Sequence, residues 1–101
     1  MPKHDYSPSI EVLEYLDALW LQRGLSENTL AAYRRDLTQT EYWLLQTARA
    51  AKLIDASADD LGAYNEMRNN ENIARRSAAR WLSSVRGFFR HWLAAQRLQD
   101  D

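Results

Sequence analysis

The sequence predicts an all-α fold, a four-helix orthogonal bundle, and three observations support this prediction. Glycine and proline are scarce, at three and two residues of 101, while the helix-favouring residues Ala, Leu, Glu, Gln and Arg are abundant. Apolar side chains recur at three- and four-residue steps, which is the spacing of an amphipathic helix. No segment shows the two-residue alternation, bounded by turn residues, that is typical of a strand. Helices joined by short connections imply a compact bundle.

Two helices are predicted in the first half of the chain. The first should begin near Ser7, a capping residue followed by Pro8, and should end at Gly24, which can adopt the left-handed conformation. The second should extend from a cap at Ser26 to about Ala50, a length of about 36 Å. The apolar stripe of the first comprises Ile10, Leu13, Leu16 and Trp20, widened by Val12 and Leu19, and that of the second comprises Leu30, Tyr33, Leu37, Leu44, Leu45 and Ala48.

Two further helices are predicted in the second half. Residues 57–60, Ser-Ala-Asp-Asp, resemble a capping box for a short third helix that stops in the Asn-rich residues 69–72. The fourth helix should run from about Arg75 to Gln96. Gly87 interrupts it at a cost of about 1 kcal/mol relative to alanine. A close approach by a DNA backbone or a neighbouring helix would explain Gly87, but a neutral surface position is the simpler interpretation. The apolar stripe comprises Ala78, Trp81, Leu82, Val85, Phe88, Phe89, Trp92 and Leu93.

Composition argues against several classes of protein. There is no cysteine, and His4 and His91 lie in no ligand-spaced motif, so we expect no disulfide, metal or other cofactor. Neither a signal peptide nor a run of about 20 apolar residues is present, which indicates a soluble cytoplasmic protein without membrane partners. No nucleophilic triad and no phosphate-binding glycine loop is visible. We therefore expect no catalytic machinery in this chain.

The distribution of charge is more informative than the net charge of −1. Residues 1–71 carry seven basic and twelve acidic side chains, a net of −5, whereas residues 72–101 carry six arginines and two aspartates, a net of +4. The two aspartates are the last two residues. The predicted fourth helix is therefore basic along its length, which is typical of an element that contacts nucleic acid.

The arginines of the fourth helix are the first candidate binding feature. At about 100° per residue, one predicted line contains Arg76, Arg80, Ser83 or Ser84, Gly87 and His91, and a second line, beside the core face, contains Arg86, Arg90 and Arg97. Guanidinium forks at fixed spacing suit a row of phosphates. A solvated face neutralised by the acidic first half of the chain is the alternative, and the residues alone leave both open.

The start of the second helix is the second candidate. Helix N-termini bind anions, and Asn28 and Thr29 add donors that could reach phosphate or a base edge. Arg34 and Arg35 lie one to two turns further on. Ordinary capping explains Ser26 equally well. The aromatic residues Trp81, Phe88, Phe89 and Trp92 fall at core spacing and are interpreted as core rather than as a base-stacking platform, whereas Tyr33 could direct its hydroxyl outward.

Two segments resemble a known family. Residues 15–37, YLDALWLQRGLSENTLAAYRRDL, resemble the opening of Xer-type tyrosine recombinases, and are nearer to the XerD branch than to the XerC branch. Residues 77–90, SAARWLSSVRGFFR, are similar to the family's last helix before the catalytic domain. The resemblance covers about residues 8–98 and is thin over residues 45–75. One departure concerns the cap of the fourth helix, because Arg75 and Arg76 stand before Ser77 where members often open with Ser or Thr.

The resemblance implies a SAM-like core-binding domain that clamps one face of a recombination site during chromosome dimer resolution. In the family the helices matching the second and fourth lie across the major groove, and the partners are double-stranded DNA and other recombinase protomers, such as a XerC-like one. We expect the isolated domain to be a monomer. The combined candidate contacts are Asn28, Thr29, Tyr33, Arg34, Arg35, Arg76, Ser77, Arg80, Arg86 and Arg90. Changing Arg80 and Arg86 to glutamate should abolish binding and leave the helical signal intact.

The resemblance also sets the expected domain organisation. Residues 1–7 should form a flexible N-terminus, residues 8–98 the DNA-binding domain, and residues 99–101 the start of a linker to a catalytic domain that the chain lacks. The family's chemistry uses two arginines, a lysine, histidines and a nucleophilic tyrosine in that following domain. The five tyrosines of this chain match no part of that site: Tyr6, Tyr15, Tyr33, Tyr42 and Tyr64.

Other functions remain open at this point. A protein-interaction module could dock the basic helix on an acidic partner. The core-binding domain of a phage or transposon integrase would carry the same signals. A small stand-alone enzyme has no residue set behind it.

Overall fold

The computed structural model describes residues 6–100, and the side chains of residues 6–96. No strand occurs in this part of the chain, and the predicted all-α class with four helices is confirmed. A flexible N-terminus at residues 1–5 and a linker at residue 101 are expectations that lie outside the described residues, and α4 itself continues through Asp100. The helices are α1 (Ile10–Ala18), α2 (Glu27–Gln46), α3 (Ala58–Asn69) and α4 (Arg75–Asp100), with a π-helical turn (Leu19–Arg23) continuing α1 and a 3-10 turn (Leu53–Asp55) before α3.

The start and the buried face of α1 differ from the prediction. Ser9, not Ser7, is the N-cap residue, and it makes no side-chain cap bond, because its polar groups are bonded to α2 instead. Gly24 ends the π-helical turn with φ 61°, as predicted. The predicted apolar stripe omits Tyr15, which packs against α4. The side of α1 that carries Tyr15 therefore faces the core, and Ile10 and Trp20 remain exposed. The buried side chains are Val12, Tyr15, Leu16 and Leu19.

The end of α2 falls four residues earlier than predicted. Ser26 caps the helix as predicted, since its Oγ accepts the Thr29 N–H at 3.2 Å. At the other end Ala48 takes a left-handed conformation with φ 59°, and the Arg49 N–H donates to the Leu44 carbonyl at 2.9 Å. This bond and the left-handed Ala48 together form a Schellman-type ending of the helix. No glycine marks the position, so nothing in the sequence signals it.

The starts of α3 and α4 agree with the prediction, whereas α4 ends at Asp100 rather than at about Gln96. The Ser57 capping box is present at the start of α3, and α4 begins at Arg75. Phe88 of α4 is completely buried, with its ring edge-on to those of Tyr15 at 5.8 Å and Phe89 at 5.1 Å between centroids. These contacts confirm the assignment of Phe88 to the core. Other fully buried apolar side chains are Val12, Leu37, Leu44 and Leu53.

A buried carboxylate joins the segment before α1, α2 and the 3-10 turn, and the sequence does not reveal it. Glu41 of α2 is 0% exposed and accepts four hydrogen bonds. Oε1 accepts the Tyr6 hydroxyl at 2.9 Å and the Ser9 N–H at 2.7 Å, while Oε2 accepts the Ser9 hydroxyl at 2.6 Å and the Leu53 N–H at 2.9 Å. Burial, followed by the bond to Glu41, raises the pKa of Tyr6. Tyr6, expected within a flexible segment, is therefore attached to α2.

Gly87 has a packing role, so its interpretation as a neutral surface position is wrong. A Cβ at position 87 would overlap the Tyr15 hydroxyl and lie 3.2 Å from Tyr15 Cζ. The Tyr15 ring cannot retreat easily, because it is 3% exposed and packs against Phe88 and His91. Burial raises the pKa of the Tyr15 hydroxyl to about 12, so the group is neutral at ordinary pH. The close neighbour of Gly87 is thus α1.

Replacing Gly87 by alanine is expected to destabilise the domain. Alanine favours the helix by about 1 kcal/mol, but overpacking costs about 1–3 kcal/mol, and the net loss should be about 1 kcal/mol. Urea unfolding followed by circular dichroism measures it. Adding Tyr15→Phe, which removes the overlapping oxygen, should recover part of the loss. A Gly87→Ala variant more stable than the parent would contradict the packing role.

Candidate nucleic-acid interface

The surface of α4 that points away from the core carries four exposed arginines, and we call it the outer face of α4. Trp81, Val85 and Phe88 point to the core, and the arginines occupy the opposite side. At 1.5 Å per residue, Arg76 and Arg90 are separated by about 21 Å along the helix. Arg97 belongs to the same side by its position, but its side chain lies outside the described residues. The outer face comprises Arg75, Arg76, Ser83, Arg86 and Arg90.

This arrangement corrects the two predicted lines of arginines. Arg86 and Arg90 are exposed, and they lie with Arg75 and Arg76 on the side of α4 that points away from the core. On the other predicted line, Ser83 is exposed whereas the alternative Ser84 is buried with its hydroxyl donating to the Trp81 carbonyl at 2.7 Å. The line ends at His91, which packs against Tyr15. The cause is that Leu82 and Leu93, counted in the apolar stripe, are 40% and 50% exposed. Including them displaced the predicted core direction toward Arg86.

The outer face is not neutralised by the acidic half of the protein. Among the side chains of residues 6–96, ion pairs are formed by Arg49, Lys52, Arg68 and Arg80. Within these residues, the arginines of the outer face form none. Arg49 pairs with Asp60 at 3.4 Å and Lys52 with Glu11 at 3.5 Å. The outer face is therefore an uncompensated positive surface on a rigid support. Such a surface attracts a polyanion.

Arg80 differs from the other arginines of α4, because it is tied to α2. Its Nε donates to Asp36 Oδ2 at 2.7 Å and its Nη2 donates to Asp36 Oδ1 at 2.8 Å. The Asp36 side chain is 8% exposed and that of Arg80 is 33% exposed. The hydrogen bonds to Asp36 raise the pKa of the guanidinium, and the neighbouring Tyr33 adds to this effect. Half-buried Ser77 lies one turn before Arg80, in a crevice shared with Asp36 and Trp81.

The structure therefore corrects the expectation that glutamate at position 80 leaves the fold intact. Arg80→Glu would leave the buried Asp36 unpaired and facing a like charge, which should cost about 3 kcal/mol of unfolding free energy. Arg86→Glu changes an exposed side chain and should alter stability by less than about 0.5 kcal/mol. Thermal unfolding of the two variants separates these cases. Equal melting temperatures would contradict the structural role of the Asp36–Arg80 pair.

The start of α2 provides a smaller polar surface. Asn28 is exposed, while Thr29 is half-buried and its Oγ1 accepts the Ser26 hydroxyl at 3.0 Å. Arg34 and Arg35 are exposed and border a groove with Tyr42. Arg34 lies about half a turn around α2 from Asp36, the residue that contacts α4. The structure thus brings Tyr33, Ser77 and Arg80 together between α2 and α4, and places Arg34 apart from them.

The described residues contain no group of three or more His, Cys, Asp or Glu side chains placed to hold a metal ion. Within that same part of the chain, every helix is too short or too polar to cross a lipid bilayer.

Comparison with known proteins gives the family. Residues 12–97 match the phage integrase N-terminal SAM-like domain. The chain is 42% identical over 93 residues to the tyrosine recombinase XerD of Pseudomonas putida, an alignment that covers 92% of this chain and 30% of that protein. It is 40% identical over 99 residues to the XerD of Yersinia pestis, covering 98% and 31%, and 39% identical over 87 residues to that of Shewanella oneidensis, covering 86% and 28%.

The matches cover only part of each relative's length. No solved structure matches the chain. The chain spans about 30% of the length of the curated relatives that it matches. Because the family match covers most of the described residues and the XerD relatives share about 40% identity, this chain belongs to the family of phage integrase N-terminal SAM-like domains and is XerD-like in sequence.

Proposed function

We propose that this chain is the DNA-binding domain of a XerD-like tyrosine recombinase, and that the outer face of α4 contacts the phosphates of double-stranded DNA. The observation that carries the proposal is the set of arginines without ion-pair partners in residues 6–96. A cation that is paired with a carboxylate gains less free energy from contact with a phosphate than an unpaired cation does. The net negative charge of residues 1–71 would be repelled by the DNA phosphates and would therefore also orient the domain with α4 toward DNA.

The start of α2 is the second part of the proposed contact. Exposed Asn28 offers a side-chain amide beside the N-terminus of a 20-residue helix, where unbonded N–H groups and the helix dipole favour a phosphate. Arg35 adds a positive charge about two turns further along. We assign these residues to backbone contacts that set the position of the domain on the duplex. Arg34 would reach a flanking phosphate only if the duplex extended past α2.

For the parent protein, the proposal is a tyrosine recombinase that cleaves and rejoins DNA strands through a phosphotyrosine link. The catalytic residues would lie in a domain that follows α4 and is joined to it by a linker. The partners would be a recombination site and further recombinase protomers, in the cytoplasm. Chromosome dimer resolution is the process that the XerD likeness favours.

Titration of a fluorescently labelled 30-base-pair duplex at increasing salt concentration tests the proposal. If the outer face contacts about three phosphates, log K should fall with log salt with a slope of about −3. We expect dissociation constants in the micromolar range or weaker at physiological salt. An affinity that does not change with salt would contradict the proposal. So would tighter binding to polyglutamate than to the duplex, because that result would favour an acidic protein partner.

A further inference from the structure

We propose that Arg80 reads a guanine base edge and that Asp36 is the positioning residue that holds it for this task. This inference rests on the proposed function and goes beyond it, since phosphate contacts alone carry no sequence information. It makes the junction of α2 and α4 the part of the domain that distinguishes one DNA sequence from another.

The pairing with Asp36 occupies only one edge of the guanidinium. An arginine has five N–H donors in a planar fork. The two bonds to Asp36 use the Nε–H and one N–H of Nη2. The remaining donors are the second N–H of Nη2 and both N–H groups of Nη1. One from each nitrogen forms a parallel pair along the outer end of the fork, which is the geometry that bonds guanine O6 and N7 together.

The position of Arg80 suits a base better than a phosphate. Arg86 and Arg90 are exposed on the outer face, where flexible side chains can follow a phosphate row. Arg80 instead bridges α4 to Asp36 of α2, with its side chain one-third exposed and fixed at its Nε edge. A restrained fork can reach only acceptors at one place, and it rejects a site where they are missing.

Neighbouring bonds hold this part of the junction. The Trp81 indole N–H donates to Thr40 Oγ1 at 2.8 Å, and the Thr40 hydroxyl donates to the Asp36 carbonyl at 2.7 Å. Thr40 is completely buried. This part of α2 is therefore joined to α4 at two adjacent residues, at Arg80 through the Asp36 side chain and at Trp81 through Thr40. Such preorganisation reduces the cost of ordering on binding.

The experiment begins with selection by the intact 101-residue chain from duplexes with a randomised centre. The enriched duplex is then compared with the same duplex carrying 7-deazaguanine, which lacks the N7 acceptor, at each enriched guanine. We expect one guanine at which this change weakens binding by the parent domain roughly 5- to 150-fold. Arg80→Lys keeps the charge but lacks the fork, so its affinities for the two duplexes should become nearly equal. Asp36→Asn should reduce the ratio several-fold.

Arg86→Lys is the matched control, since it makes the same chemical change on the outer face and should leave the ratio unaltered. If Asp36→Asn melts below the assay temperature, Arg80→Lys decides the question by itself. The inference is overturned if no guanine is enriched, or if Arg80→Lys retains the full ratio. If Arg80→Lys lost affinity equally for both duplexes, that result would also overturn the inference and would assign Arg80 to a phosphate. The proposed function fails separately, if the parent domain binds no duplex in a salt-dependent way.

Discussion

Replacing Glu41 by alanine is expected to lower the free energy of unfolding by about 4 kcal/mol, a large effect for a single polar substitution. The change removes the acceptor for the Tyr6 hydroxyl, for both donors of Ser9 and for the Leu53 N–H. These donors would be left in an interior where water replaces the lost bonds poorly. Since small domains have only about 5–15 kcal/mol in total, a large unfolded fraction should appear at 37 °C.

Urea unfolding followed by tryptophan fluorescence measures this effect. Glu14→Ala is the matched control, because Glu14 is an exposed glutamate on α1, and it should change stability by less than about 0.5 kcal/mol. An unfolding midpoint for Glu41→Ala equal to that of the control would show that the four bonds do not hold the chain together. Glu41→Gln should fall between the two, since an amide has the same shape but turns its NH2 group toward two of the four existing donors.

Replacing both Arg86 and Arg90 by glutamine is expected to weaken duplex binding roughly tenfold or more at low salt and to reduce the slope of log K against log salt by about 2. Each arginine would cease to displace a counterion from a phosphate. Both side chains are exposed, so the melting temperature should stay close to that of the parent domain.

The paired cations of the domain provide a control with the same change in net charge. Arg49→Gln with Lys52→Gln also removes two positive charges, but these are paired with Asp60 and Glu11 in the parent structure. We expect the salt slope of this variant to equal that of the parent. If both double variants lost the same slope, net charge rather than the outer face of α4 would govern binding.

Local signals in the sequence predicted much of the fold. The cap at Ser26, the capping box at Ser57 and the left-handed Gly24 each depend on residues within one turn of the helix end, and all three are confirmed. The start of α4 was found because an apolar stripe follows a polar loop. The end of α2 was missed since its left-handed residue is Ala48, and alanine is not a signal for that conformation.

The polar contacts that join the helices come from residues far apart in the chain. Asp36 and Arg80 are 44 positions apart, and Ser9 and Glu41 are 32 apart. No periodicity relates such residues, so their pairing required the packed structure. The absence of acids from residues 72–99 did identify the basic helix. It could not show that Arg80 is tied to a carboxylate whereas Arg86 and Arg90 point to solvent.

The arginine side-chain signals of the ¹⁵N-labelled domain, recorded by NMR during titration with a duplex, report which cations contact DNA. We expect the Nε–H signals of Arg76, Arg86 and Arg90 to shift or broaden together as DNA is added, while those of Arg49 and Arg68 stay in place. Shifts confined to Arg49 and Arg68, with the outer face of α4 unchanged, would contradict this expectation.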